Sequence, residues 1–144
     1  AGNKLPRTGN IFLSVRDADK ENVLDGARRL ESMGFTIYAT AGTGAYLRTQ
    51  GIASRELEKI SDGSPNVLDL VADRNLAWIV NTPTSGVAPR VDEIRMRGES
   101  VINGIPITTT VAGFIAAVSG LEALQDVDRM DVRTIQEYHA VLNG

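Results

Sequence analysis

The fold this sequence predicts is an α/β domain, with a five-stranded, mainly parallel sheet and helices on both faces. Three observations predict it. Short apolar runs of strand character alternate with segments of helical spacing, the pattern of repeated strand–helix units. The chain has 144 residues, the size of one ordinary domain, and 42% of them are hydrophobic, enough for a core. Third, the polar segments RDADK, TAGTG and NTPTSG each follow a strand-like run, and open α/β sheets bind ligands outside the carboxyl ends of their strands.

The elements follow in order. AGNKLPRTGN opens the chain without the apolar centre of a signal peptide, and residues 1–8 read as a linker remnant. IFLSV (11–15) is a buried strand, being short, apolar and partly β-branched. Val23, Leu24, Ala27 and Leu30 recur at helical spacing, with Asp17 or Asp19 expected to cap the helix start and Gly34 to end it. FTIYA (35–39) is the second strand, and TGAYLRTQG a short helix stopping near Gly51. ASRELEKI (53–60) alternates weakly and holds a third, short strand. SDGSP is turn chemistry, placing Pro65 at the first helical position before NVLDLVADR. AWIVN (77–81) is the next strand, and TPTSGVAP a loop of glycine, proline and hydroxyls. A charged helix spans 89–103, weakened mildly by Gly98. PITTT (106–110) is the fifth strand, and VAGFIAAVSGLEAL is apolar on nearly every face, hence a mostly buried helix. Near the C-terminus, VRTIQEYHA reads as an edge strand. The expected division is one domain over 9–124, with 125–144 an extension packed on it.

Composition excludes several classes of function. A formal charge of −3 supplies no basic face for nucleic acid and no attraction to an acidic membrane. No run approaches the ~18 apolar residues of a membrane-spanning helix. With no cysteine there are no disulfides, thiolate metal sites or cysteine nucleophiles, which fits a cytoplasmic setting. The one histidine, His139, stands in the C-terminal tail, and no cluster has metal-ligand spacing, so neither metal nor cofactor is expected. Ser14, Ser85 and Ser100 lack a neighbouring base, while Asp17, Asp19 and Asp62 suit caps and turns. Binding groups are plentiful and proton-transfer groups scarce, so a binding module is favoured over an enzyme.

The segment TAGTG carries two readings. It lacks the G-x-G-x-x-G spacing of a dinucleotide fold and the Gly-Lys-Ser/Thr ending of a P-loop, so alone it is equally a tight turn. As an anion cradle, its glycines permit close backbone approach and its threonines donate hydrogen bonds ahead of a helix N-terminus. Lys20 and Lys59 are either solvated surface lysines or the positive charge such an anion needs.

Together, SVRDADK (14–20), ATAGT (39–43), EKISDGSPNVLDLV (58–71) and VNTPTSG (80–86) resemble, in order and spacing, the methylglyoxal-synthase-like domain. The form most similar is that at the C-terminus of the carbamoyl phosphate synthetase large subunit, and the resemblance covers roughly residues 9 to 124. It implies a Rossmann-like three-layer sandwich and a regulatory role, binding nucleotide monophosphate effectors such as UMP or IMP. The parent protein it implies is an ATP-dependent ligase of pyrimidine and arginine synthesis. It further implies, as partners, the remainder of the large subunit, a glutaminase small subunit and self-association. The family's phosphate site falls on Lys20, on Thr40, Gly42 and Thr43, on Lys59, and on Asn81 with Thr82 or Thr84. Pro83 leaves the threonine register open, and Ile60 and Val67 flank the expected base. Two sister enzymes on the same scaffold are the alternative. Methylglyoxal synthase uses an aspartate where this chain has Ser64, and a histidine that NTPTSG lacks. The lysine- and histidine-rich run of the inosinate cyclohydrolase domain is also missing.

Overall fold

A computed structural model of the chain describes residues 8–83 and 91–129. Its strands are β1 (Asn10–Ser14), β2 (Thr36–Thr40), β3 (Arg55–Leu57), β4 (Trp78–Asn81) and β5 (Ile107–Thr108). They pair in the order β3-β2-β1-β4-β5, and every pairing is parallel. The helices between and after them are α1 (Lys20–Ser32), α2 (Ala41–Thr49), α3 (Val67–Ala72), α4 (Val91–Ile102) and α5 (Val111–Arg129). The expected parallel α/β sandwich is therefore the observed one.

The strand order places the site. From β1 the chain winds outward through β2 to β3, then returns to lay β4 on the other side of β1. The order in which strands are laid down thus reverses between β1 and β4, and a crevice opens there at the carboxyl ends of the strands. Register aligns those ends, since Leu13 lies beside Ala39 and Ser14 beside Asn81. The segments after β1, β2 and β4 therefore meet at one edge.

Two apolar clusters fill the layers. One holds Val23 and Leu30 of α1, Leu47 of α2, Trp78 of β4, and Phe114, Val118 and Leu121 of α5. The other, on the opposite face, holds Phe12, Leu57, Ile79, Val67 and Val71 of α3, and Met96 of α4. Trp78 and Phe114 stack with centroids 5.8 Å apart, and the Trp78 indole donates to Thr108 Oγ1 at 2.9 Å. Gly34 ends α1 with φ of 98°, the left-handed conformation that glycine adopts without a Cβ clash.

Four local expectations are corrected. Neither Asp17 nor Asp19 caps α1 with its side chain. Their carboxylates turn to nearby cations instead, Asp19 to Arg16 Nε at 2.8 Å and Asp17 to Lys20 Nζ at 2.6 Å. Pro65 is not the first residue of α3: Asn66 caps it by accepting from Leu68 N–H, Asp69 accepts from Asn66 N–H, and Val67 begins the helix. Nor is α5 mostly buried. It lies in an outer layer, so Phe114, Val118 and Leu121 face inward while Ile115 (46% exposed) and Val127 (50%) face out. The helix also runs through residue 124, where the sequence suggested an end, to Arg129. Residues 1–7 of the expected linker over 1–8 lie outside the described residues, as do the strand VRTIQEYHA and His139.

Candidate functional site

A cleft of about 340 Å³ opens at the switch point between β1 and β4. Lys20, Thr40, Gly42, Thr43, Lys59, Asn81 and Thr82 all line it, and so do Ile60 and Val67. Residues as far apart in sequence as Lys20 and Thr82 thus share one cavity because the parallel register brings the strand ends level. Thr84 lies outside the described residues.

The turn after β2 gives the cleft its polar floor. Thr40 is the N-cap of α2 in extended conformation and makes no side-chain cap, so the first N–H groups of this helix keep no capping side chain. Gly42 lies directly under Lys20: a Cβ there would sit 3.3 Å from Nζ, so a side chain would push the ammonium away. The Thr40 hydroxyl has a long contact, 3.4 Å, to Ser14 Oγ. Thr43 is different. Its Oγ1 accepts from Val15 N–H at 3.2 Å and donates to Val15 C=O at 3.3 Å, and the residue is buried. That hydroxyl latches α2 to the end of β1, so what Thr43 offers a ligand as a donor is its backbone N–H.

The β4 end supplies two more donors. Thr82 N–H donates to Ser14 C=O at 3.2 Å, and Thr82 Oγ1 accepts from Arg16 N–H at 3.1 Å, which leaves its own hydroxyl hydrogen to give. Asn81 is 5% exposed, and its Nδ2 is buried with no hydrogen-bond partner among the described residues. A buried amide donor without an acceptor costs about 1–3 kcal/mol, which a ligand oxygen would recover.

The charge pattern is mixed. Arg16, Lys20 and Lys59 face the cleft together with Asp17, Glu58, Asp92 and Glu93. Lys20 holds the Asp17 carboxyl below the ordinary carboxylate range, first by the hydrogen bond and then by its charge. Asp92 accepts from Ser61 N–H at 3.0 Å and so ties α4 to the turn after β3. On the side of α3 and α4 the apolar side chains Phe12, Ile60, Val67 and Met96 line the wall, beside Asp92 and Glu93 of α4. The cleft therefore has one end of cation, hydroxyl and N–H groups and another that suits a flat apolar group.

Sequence reasoning passed over Phe12, Asp92, Glu93 and Met96. Phe12 lies within a strand that reads only as core, and the other three sit on α4, whose charged pattern reads as a solvated face. Ser14 and Arg16 had a signal, since both stand in the quoted SVRDADK segment. Among the described residues no cluster of histidine, aspartate and glutamate fits a metal, and no helix is long and apolar enough to cross a membrane. Ser64, standing where the resemblance puts an elimination base, is exposed.

Comparison with known proteins bears on this geometry. A family model described as MGS-like domain matches residues 22–109. The carbamoyl phosphate synthase large chain of Myxococcus xanthus is 41% identical over 138 residues, covering 96% of this chain and 13% of that protein. The corresponding C-terminal section from Methanopyrus kandleri is 39% identical over 126 residues, 88% of this chain and 23% of that protein. The chain thus spans a small fraction of the curated relatives it matches. A crystal structure of methylglyoxal synthase from Elizabethkingia anophelis superposes with a TM-score of 0.63 at 15% identity, covering 80% of each chain, a likeness of fold.

Proposed function

The chain belongs to the MGS-like domain family, and on that premise we propose that it is a regulatory domain binding phosphorylated nucleotide effectors such as UMP or IMP. The larger protein it serves is a carbamoyl phosphate synthetase large subunit of the cytoplasm, working with a glutaminase small subunit and ATP. The observation that carries the reading is the orphaned donor of Asn81, in the cleft that also holds Lys20 and the uncapped start of α2. A phosphate monoester answers each of them: its oxygens accept from Lys20, Asn81, Thr82 and the α2 N–H groups. The apolar end at Ile60, Val67 and Met96 then receives the base. No residue in this account moves a proton, and the domain itself is non-catalytic.

Calorimetric titration with UMP, IMP, inorganic phosphate and dihydroxyacetone phosphate, alongside a methylglyoxal assay, tests the reading. Nucleotide binding tighter than phosphate, without methylglyoxal formation, is expected. Turnover of dihydroxyacetone phosphate well above the uncatalysed rate would move the chain to the sister enzyme.

A further inference from the structure

Both cations that follow β1 already have a carboxylate from their own segment, but the two pairs differ in kind. Asp19 is buried, and its contact with Arg16 packs the turn ahead of α1. The Asp17 side chain is 94% exposed, and its carboxylate accepts a 2.6 Å hydrogen bond from Lys20 Nζ. It is the first residue of the short 3-10 turn Asp17–Asp19 and is the N-cap of neither that turn nor α1. The Lys20 side chain is only 19% exposed and its ammonium rests over Gly42, so the carboxylate holds the lysine from the solvent side of the cleft. With its side chain in solvent Asp17 packs against no core, and the group it meets is the ammonium at the cleft floor.

We propose that Asp17 is a tethered competitor for the anion site: its carboxylate occupies the Lys20 ammonium in the empty cleft and must yield when a phosphate arrives. The inference rests on the effector reading above and concerns how that site is tuned. Displacing Asp17 levies the same cost on every anion that reaches Lys20. A ligand that also engages Asn81, Thr82 and the apolar end recovers that cost, whereas a small anion held by Lys20 alone does not. Asp17 therefore raises the concentration at which any anion, simple or nucleotide, occupies the site.

The test compares the parent chain with Asp17→Asn, Asp17→Glu and Lys20→Gln, together with the Asp17→Asn, Lys20→Gln double variant. Calorimetry uses inorganic phosphate and UMP at fixed pH and ionic strength. Asp17→Asn is expected to bind both ligands roughly two- to fivefold more tightly, the range of an exposed ion pair. Asp17→Glu, which keeps the charge, should stay near the parent, and the gain should vanish in the Lys20→Gln background. Binding by Asp17→Asn that is no tighter than the parent's, or a gain that survives without Lys20, overturns the proposal. NMR titration of the Asp17 carboxyl adds a readout that needs no ligand: it should titrate below the ordinary carboxylate range in the parent and return to it in Lys20→Gln. Identical titration in both overturns the pairing. A parent that binds neither phosphate nor UMP overturns the effector reading and this inference with it, whereas a binding parent with an indifferent Asp17→Asn overturns the inference alone.

Discussion

The two faces of the sheet carry different burdens. Under α1 and α5 lies the larger cluster, centred on the Trp78–Phe114 stack, and of its buried members only Val15 touches the cleft. Under α3 and α4 lies the smaller one, and Phe12, Val67 and Met96 belong both to it and to the cleft wall. One face is core with little share in the cleft, and the other is core and cleft wall together. Substitutions on the first face should therefore separate stability from affinity, and substitutions on the second should not.

The largest expected effect breaks the first face. Phe114 is fully buried, and Gly26 admits its ring so closely that a Cβ there would lie 2.4 Å from Cε2. Phe114→Ala should cost about 3–5 kcal/mol of stability in denaturant unfolding. The folded fraction should bind UMP as the parent does; a matching loss of affinity would erase the distinction between the faces. Met96→Ala comes next, at about 2–3 kcal/mol for a buried methionine. Here affinity should fall several-fold as well, because the side chain is part of the wall; unchanged affinity would put the base elsewhere.

A smaller effect sharpens the comparison within one turn. Thr43→Ala removes both hydrogen bonds to Val15 and should cost about 1–2 kcal/mol of stability. Thr40→Ala should leave melting nearly unchanged and weaken phosphate or UMP by about fivefold, the worth of one neutral hydrogen bond of about 1 kcal/mol. The reverse order would mean that Thr43 rather than Thr40 presents its hydroxyl to the ligand.

The sheet was legible because its strands are short apolar runs separated by helical periods, and parallel pairing needs such crossovers. Even the two residues of β5 were signalled by PITTT, although Thr110 leaves the strand to accept from Gly113 N–H at the start of α5. What misled was competition among polar groups. Asp17 and Asp19 look like caps in a linear string, but Lys20 and Arg16 lie within reach and attract their carboxylates. The outward residues of α5 are as apolar as its inward ones, so hydropathy alone did not tell which stripe meets Trp78. The cleft floor was readable because loops after parallel strands must converge at the switch point. The wall from α4 was not, since Met96 reaches the cavity only through the packing of α4 beside α3.

The central claim is that a phosphate is held at Lys20, and one comparison tests it most directly: UMP affinity and melting temperature for the parent and Lys20→Ala. A charge-assisted hydrogen bond to phosphate is worth about 1.5–3 kcal/mol, so affinity should fall roughly ten- to a hundredfold. Melting of the empty domain should hold, because the Asp17 partner that is lost is solvent-exposed. Lys20→Ala binding UMP as tightly as the parent would contradict the account.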